Sequence, residues 1–438
     1  MTYMAPNKIK RVIIAGAGFS APANLPIQNR IIDKMTQLPQ FDFLSGQLPQ
    51  ESLKFLHAYI TVGLFLLDNY AQSDYHSLQN YYWQVRKQKE AFEIFKEATT
   101  QKAPQNVWEA DIENLTDGPF SDKYIAEKLR DDYYAALYSI KDEIRLAIIK
   151  AHINVNLEDI FTAFDKSVNT REYLHEYAYT QMDDIRYSIM RLFTYYFSKG
   201  VQEHSFLQSE YLNFFKYIQR HRTVSPTTII TTNWDTLIEE YCNRLKISYS
   251  YGLQESYTSS TSSNLNNNAY QLLLLKIHGS TNWLRCLHCG SISIFEKNKA
   301  AASLFSDETQ ELCAICNGGG TSFEPSLQPE IITPTMVKSF SSQIYSNLWG
   351  TAGRELLNAT HVIFVGYSLP IADFDFRYLL QRCIPHTAVI DVILTHSSDP
   401  AQTGIESFQS LLPEKRYRDA FPKNKIQFFY DGFGEYFH

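Results

Sequence analysis

Arg11-Val-Ile-Ile-Ala-Gly-Ala-Gly-Phe-Ser-Ala21 decides the fold. Val12 to Ala15 form an apolar run of strand length, Gly16-Ala17-Gly18 follows at once, and Phe19 and Ser20 come next. A buried strand, a glycine turn and a helix start make up a nucleotide-binding βα unit. Glycines let the backbone approach a pyrophosphate, and the free N–H groups of the following helix attract its charge. The third glycine of the usual dinucleotide fingerprint is missing, so the motif is weakly specific by itself. Residues 9–15 are the predicted first strand. A helix is expected to begin near Ser20 and run through Ile31-Ile-Asp-Lys-Met35.

Further strands of the same character recur late in the chain. Thr227-Thr-Ile-Ile-Thr-Thr232 is short and β-branched, which predicts a buried parallel strand with Asn233 and Asp235 at its C-terminal end. Thr236 to Leu245 reads as helix, and the polar run Ser256 to Asn268 as a loop. Gln271 to Ile277 is another apolar strand ending at His278. Ala359 to Val365 is closed by Gly366-Tyr-Ser-Leu-Pro370, and Ala388 to Leu394 is expected to be the last buried strand. Glycine, serine and asparagine after successive strands predict an α/β, Rossmann-like doubly wound parallel sheet.

Between residues 37 and 222 glycine becomes scarce and apolar residues take helical spacing. Ile125, Leu129, Tyr133, Leu137, Ile140, Ile144 and Ile148 mark one face of a helix over 123–151. Met182, Ile185, Ile189, Leu192 and Tyr196 repeat the pattern, and Pro104 and Asp117-Gly-Pro119 read as breaks. This predicts a helical insertion with its own core, or with an aromatic surface that mates with another subunit. The expected division is a nucleotide-binding domain of residues 1–36, 223–285 and 321–438, a helical insertion of 37–222 and a small zinc ribbon of 286–320.

The 438 residues are too many for one ordinary core, and 44% hydrophobic with 20% charged residues is globular composition. The net charge of −7 argues against nucleic acid as the principal partner. The opening Met1-Thr-Tyr-Met-Ala-Pro6 lacks the pattern of a signal peptide, and no run approaches the ~18 apolar residues of a membrane span. A cytoplasmic location with no membrane contact is therefore expected. Of six cysteines, four form Cys286-x-x-Cys289 and Cys313-x-x-Cys316. Each pair supplies two thiolates to a tetrahedral ion, so the prediction is a structural Zn2+ site with no open position for water. Residues 290–312 between the pairs exceed the usual spacer of ~15–20, which predicts an extra hairpin or loop. His288 is expected to be exposed rather than a ligand, and Cys242 and Cys383 to be core residues.

Several residues carry two readings. His278 is either a hydrogen-bonded core histidine or, at the edge of a nucleotide-binding sheet, a base near neutrality. Asn233 and Asp235 either cap the next helix or face a ligand. Gly366 and Ser368 either form an ordinary turn or offer donors to a phosphate or ribose. Asp373, Asp375 and Arg377 read by default as a surface ion-pair network.

Gly16-Ala17-Gly18-Phe19-Ser20, Thr231-Thr232-Asn233-Trp-Asp235, Lys276-Ile-His278-Gly279-Ser280, the two cysteine pairs and Gly366-Tyr-Ser368, in that order, resemble the sirtuin (silent-information-regulator-like) family. The resemblance spans residues 9–36 and 225–385. It implies that NAD lies across the sheet edge against the glycine turn, Thr232, Gly366 and Ser368, and that the nicotinamide–ribose bond is broken. By the same resemblance Asn233 orients the ribose or the attacking water, Asp235 helps hold the nicotinamide amide, and His278 is the general base. The departures are informative. Asn24-Leu25-Pro26-Ile-Gln-Asn-Arg30 stands where sirtuin deacylases carry Gly-Ile-Pro and Phe-Arg, Thr232-Asn233 where they carry Gln-Asn, and Pro329-Glu-Ile-Ile-Thr-Pro334 in place of the segment lining the acyl-lysine channel. These features and the helical insertion resemble bacterial sirtuin-like proteins of antiphage defence, which hydrolyse NAD to ADP-ribose and nicotinamide. Asn154-Val-Asn-Leu-Glu158-Asp-Ile-Phe161 resembles a segment of that subgroup too and reads as structural. The implied partners are further copies of the chain and a separate ATPase or nucleic-acid-sensing protein. A protein deacylase and a non-enzymatic NAD or ADP-ribose sensor are the alternatives.

Overall fold

The computed structural model describes residues 9–25, 51–99, 122–153, 155, 157–174, 177–203, 208–221, 226–253, 258–260, 272–296, 299–305, 311–317, 327–333, 343–370, 373–394 and 406–438. Ile31 to Met35, Pro104, the Asp117-Gly-Pro119 break and most of the loop 256–268 lie outside them.

The strands follow from short β-branched and aliphatic runs bounded by glycine or polar residues. They are β1 (Arg11–Ala15), β2 (Thr227–Thr231), β3 (Tyr249–Ser250), β4 (Thr258–Ser260), β5 (Leu272–Lys276), β6 (Gly279–Cys286), β7 (Ile292–Ile294), β8 (Leu327–Ile331), β9 (His361–Val365), β10 (Val389–Ile393) and β11 (Lys425–Phe429). Seven form one sheet in the order β11-β10-β9-β1-β2-β5-β3, and every pairing in it is parallel. Val12, Ile13 and Ile14 of the central β1 are wholly buried. Such burial contributes roughly 1.5–3 kcal/mol per side chain. Chain order runs outward from β1 to β2 on one side and to β9 on the other. The order in which strands are added therefore reverses at β1, and the crevice beyond the C-terminal ends of β1, β2 and β9 is the switch point of the sheet.

Three details refine or correct the sequence-based expectation. The first helix covers only Ala17–Ser20 and passes into a 3-10 turn over Ala21–Ala23, ended by Asn24 in the left-handed region at φ 59°. Pro22 lies in that tight turn, where its fixed φ is suited and its missing N–H costs little. The strand at 388–394 is the last buried one, and β11, which the sequence reading did not include, follows it as a half-exposed edge strand. A second sheet, in the order β4-β7-β6-β8, surrounds the cysteine region, and its β4 lies inside the run read as a polar loop.

By internal contacts the chain forms two units. One comprises residues 35–155 with 305–307; the other holds the remaining residues, including both sheets. The first is built on helices Glu51–Tyr70, His76–Thr99 and Asp122–Ala151. There Gly63 admits Ile144 against the backbone, and His57 bridges the hydroxyls of Tyr82 and Tyr133 at 2.9 and 3.0 Å. Helices Leu157–Thr170, Tyr179–Glu203 and Ser209–His221 belong by contact to the unit of the sheets, so this division falls near 155 whereas the sequence reading placed a boundary at 222. Their aromatic faces explain why. Phe193 stacks on Trp234 at 5.7 Å, and Tyr211 and Phe214 enclose Phe19 together with Phe433 at 5.0–5.3 Å. In the segment singled out at 154–161, Leu157, Ile160 and Phe161 are fully buried, as a structural role requires. Among the described residues no helix is long and apolar enough to cross a membrane.

Candidate functional site

The glycine turn is held against the loop after β9. Gly16 N donates to Val365 O at 3.0 Å and Gly18 N to Gly366 O at 2.9 Å. Neither Gly16 nor Gly18 has room for a Cβ beside Gly366 and Tyr367, which accounts for both glycines. Phe19 supports the turn from inside. Its ring is wholly buried, its N–H donates to Gly16 O, and its carbonyl accepts the Tyr211 hydroxyl at 2.7 Å. Ala17 is exposed on the outer side, as is Ser368, whose carbonyl accepts from Arg416 Nη1 at 3.2 Å.

Asn233 and Asp235 lie where β2 ends. Thr231 Oγ1 donates to Ala15 O and accepts from Asn233 N, which ties the ends of β1 and β2 together. Asn233 Nδ2 donates to Gly16 O at 2.9 Å and to Ser20 Oγ at 3.0 Å. Because a backbone carbonyl can only accept, this contact decides which way the amide points: Nδ2 faces the turn and Oδ1 faces away. Asp235 is buried, with Oδ2 accepting from Ser20 Oγ at 2.8 Å and Oδ1 from Leu237 N at 3.1 Å. Its carboxylate thus organises both the glycine turn and the start of the next helix. Thr232 is half-buried beside them.

His278 is positioned by a buried ion pair on the preceding residue but one. Lys276 Nζ pairs with Glu239 Oε1 at 2.9 Å, their side chains 1% and 4% exposed, and it also donates to Asp235 O. The Tyr251 hydroxyl donates to the same Glu239 oxygen. His278 itself is buried, with Nε2 at 3.4 Å from Asp373 Oδ1 and its ring stacked on Trp349. Asp373 Oδ2 accepts the Tyr367 hydroxyl at 3.0 Å. Burial, then the charge of Asp373, pushes the Tyr367 hydroxyl well above the usual tyrosine range, so it stays a donor. Asp373 is therefore not part of a surface ion-pair network: an aspartate beside Phe374 and Asp375 reads as solvent-facing, but at the start of helix Phe374–Cys383 it is buried. Sequence reasoning missed this partnership, and the only available signal was its position a few residues after Gly366-Tyr367. Tyr367 and Asp373 connect His278 to the glycine turn, since Tyr367 packs against Gly16.

The four cysteines Cys286, Cys289, Cys313 and Cys316 come together with all sulfurs within 4.8 Å of one another and none in a disulfide. Cys286–Cys316 and Cys289–Cys313 are 3.9 and 3.6 Å apart. Tetrahedral zinc thiolates place sulfurs about 3.8 Å apart, so this donor set fits the ion. Against burial, which raises it, hydrogen bonds from Ser291, Cys289 and nearby backbone bring the Cys313 thiol down to about 6. His288 is exposed and Cys242 and Cys383 are buried, as expected.

Residues 227–404 match the model of the SIR2-like domain. That stretch carries Asn233, Asp235, His278, the four cysteines, Gly366 and Asp373. Solved structures of sirtuins are similar to the chain at a distance. A mutant Sir2 homologue in complex with ADP-ribose shares 15% identity over 59% of this chain and 74% of its own, with a TM-score of 0.32. A structure from work on sirtuin substrate affinity shares 10% identity over 98% of this chain and 92% of its own, with a TM-score of 0.36. No curated protein sequence matches significantly.

Proposed function

We propose that the chain is an NAD glycohydrolase that cleaves NAD to ADP-ribose and nicotinamide. The observation that carries this reading is the fixed amide of Asn233 at the switch point of the sheet. Nδ2 is held by Gly16 O and Ser20 Oγ, so Oδ1 is presented as an acceptor for a ribose hydroxyl or a water. Cleavage of the glycosidic bond builds positive charge on the ribose, and preorganised oxygen dipoles stabilise it without reorganisation. His278, beyond the end of β5, takes the proton from the ribose hydroxyl or the water. Ala17, Gly18, Thr232, Gly366 and Ser368, at the ends of β1, β2 and β9, would meet the phosphates and ribose. The SIR2-like match over residues 227–404 supports NAD as the substrate.

Hydrolysis is favoured over deacylation by the environment of β8. Its five residues are buried, it is paired along β6, and Gln328 accepts from Arg191 of helix Tyr179–Glu203. Among the described residues β8 is an edge strand paired only with β6, and it is the burial of all five residues that leaves little of its free edge open to a peptide. The cysteine cluster is read as a structural zinc site, with Cys286, Cys289, Cys313 and Cys316 as ligands. By its resemblance the enzyme acts in the bacterial cytoplasm as an antiphage effector that depletes NAD. Its control lies in self-association or in an ATPase or nucleic-acid-sensing partner.

The test is release of nicotinamide from NAD by the purified chain, beside Asn233→Ala. Release that falls at least ~100-fold in the variant is expected. Formation of acyl-ADP-ribose from an acylated peptide would instead make the chain a deacylase. Tight NAD retention without turnover, unchanged by His278→Ala, would make it a sensor.

A further inference from the structure

We propose that Asp373 is the positioning residue of His278, fixing the imidazole tautomer and balancing the charge that the ring acquires. This rests on the reading of His278 as general base. Asp373 Oδ1 lies 3.4 Å from His278 Nε2, with the two side chains 7% and 11% exposed. The contact has ion-pair rather than hydrogen-bond geometry, so the carboxylate acts through its charge, which favours hydrogen on Nε2 and the arriving proton on Nδ1. When Nδ1 takes the proton of a ribose hydroxyl or of water, Nε2–H stays in place and the new positive charge faces the carboxylate.

The carboxylate is itself held. Its Oδ2 accepts the Tyr367 hydroxyl at 3.0 Å, Asp373 N donates to Pro370 O at 3.2 Å, and Asp373 O accepts from Arg377 N at 2.9 Å. The imidazole is held on its other flank. Trp349 stacks on it with planes 29° apart, and the indole is anchored by Nε1 donating to Ile277 O at 3.1 Å. The charged and titratable groups around the pair are therefore Asp373, Arg377 and Tyr367. On the far side of Gly279 stand Tyr345 and Glu330, the latter paired with Arg285 at 2.8 Å. Of these, Asp373 is in ion-pair contact with the ring. A buried carboxylate set against the imidazole, rather than toward solvent, is placed to act through it.

Asp373→Asn keeps the size of the side chain and removes its charge. The full-length protein is titrated by NMR, with the His278 ring signal assigned from its absence in His278→Gln. The His278 midpoint is expected to fall by about one pH unit in Asp373→Asn. The acid limb of nicotinamide release should shift the same way, with kcat down about tenfold to a hundredfold and KM little changed. Asp373→Glu, which retains the charge, should recover part of the loss. A His278 midpoint that does not move in Asp373→Asn overturns the inference. Should that variant unfold, Asp373→Ser, which also removes the charge, takes its place, and an unmoved midpoint there overturns it equally. Full nicotinamide release by His278→Ala would instead overturn the general-base reading, while the titration would still report whether the two side chains are coupled.

Discussion

Gly18 and Gly366 touch backbone to backbone. A Cβ on Gly366 would lie 2.5 Å from Gly18 Cα, and one on Gly18 would lie 2.7 Å from Gly366 Cα. Gly366 also has φ +60°, a region that costs L side chains roughly 1–2 kcal/mol. The switch point of the sheet is closed by this contact, so Gly366→Ala should lose about 3 kcal/mol of stability, combining strain with a backbone clash. A Cβ on Gly350, in helix Gln343–Leu357, would meet only Arg354 Nη1 within 4 Å among the described residues, at 3.9 Å. Gly350→Ala should gain about 0.5–1 kcal/mol. Urea midpoints of the two variants check both signs, and equal effects would contradict the packing argument.

Lys276 and Glu239 form a buried ion pair that fixes the strand end leading to His278. Removing one partner leaves the other charge buried and unpaired, so Lys276→Met should cost about 3–5 kcal/mol. The double variant Lys276→Met with Glu239→Leu should recover most of this, because no lone charge is left. A double variant as unstable as the single one would show that the hydrogen bonds to Asp235 O and Tyr251, rather than the charge pair, dominate. A denaturation cycle over the four proteins measures the coupling.

The parts legible in the sequence are those written locally. Val12 to Ala15, Thr227 to Thr231 and Leu272 to Lys276 announce themselves as buried parallel strands by their unbroken apolar or β-branched character, and the cysteine spacing announces a four-thiolate cluster. What could not be read are choices between cores and between faces. The amphipathic pattern of Met182, Ile185 and Ile189 specifies a buried face but not which core it joins, and Phe193 meeting Trp234 decides that only in three dimensions. Asp373 was obscured for a related reason. A carboxylate looks solvated until Tyr367 and His278 are seen to accompany it, and those partners lie 6 and 95 residues away in sequence. Lys425 to Phe429 was missed because an edge strand with one charged and two half-exposed aromatic residues has weak periodicity.

The cysteine cluster makes a prediction about stability rather than catalysis. Four thiolates closing one tetrahedral site couple metal binding to folding. Purified protein should hold one zinc per chain by elemental analysis, and a strong chelator should lower its melting temperature. Cys286→Ser should lower both zinc content and stability, because Cys286 is buried against Cys316. Cys242→Ala, at a core cysteine away from the cluster, should leave the zinc content unchanged. Stoichiometric zinc surviving in Cys286→Ser would rule out the four-cysteine ligand set.

Asp391 makes a pH-dependent contribution to the stability of the sheet. Burial works against its charge, but hydrogen bonds from His361 Nε2, at 2.8 Å, and from the Tyr436 hydroxyl outweigh it, so its carboxyl is held below the usual range. Lys425 adds attraction. A folded-state value below the unfolded one means stabilisation that is complete above the unfolded value of about 3.9 and lost as pH falls through the folded value. Asp391→Asn removes that contribution at every pH. The stability difference between the native protein and this variant should therefore be constant from pH 6 to about 5 and shrink toward pH 3. Tyr436→Phe should give a smaller difference that shrinks over the same interval, since one of the two donors remains. Urea midpoints from pH 6 to 3 measure this, and a difference that did not shrink between pH 4 and 3 would show that the Asp391 carboxyl is not held below the usual range.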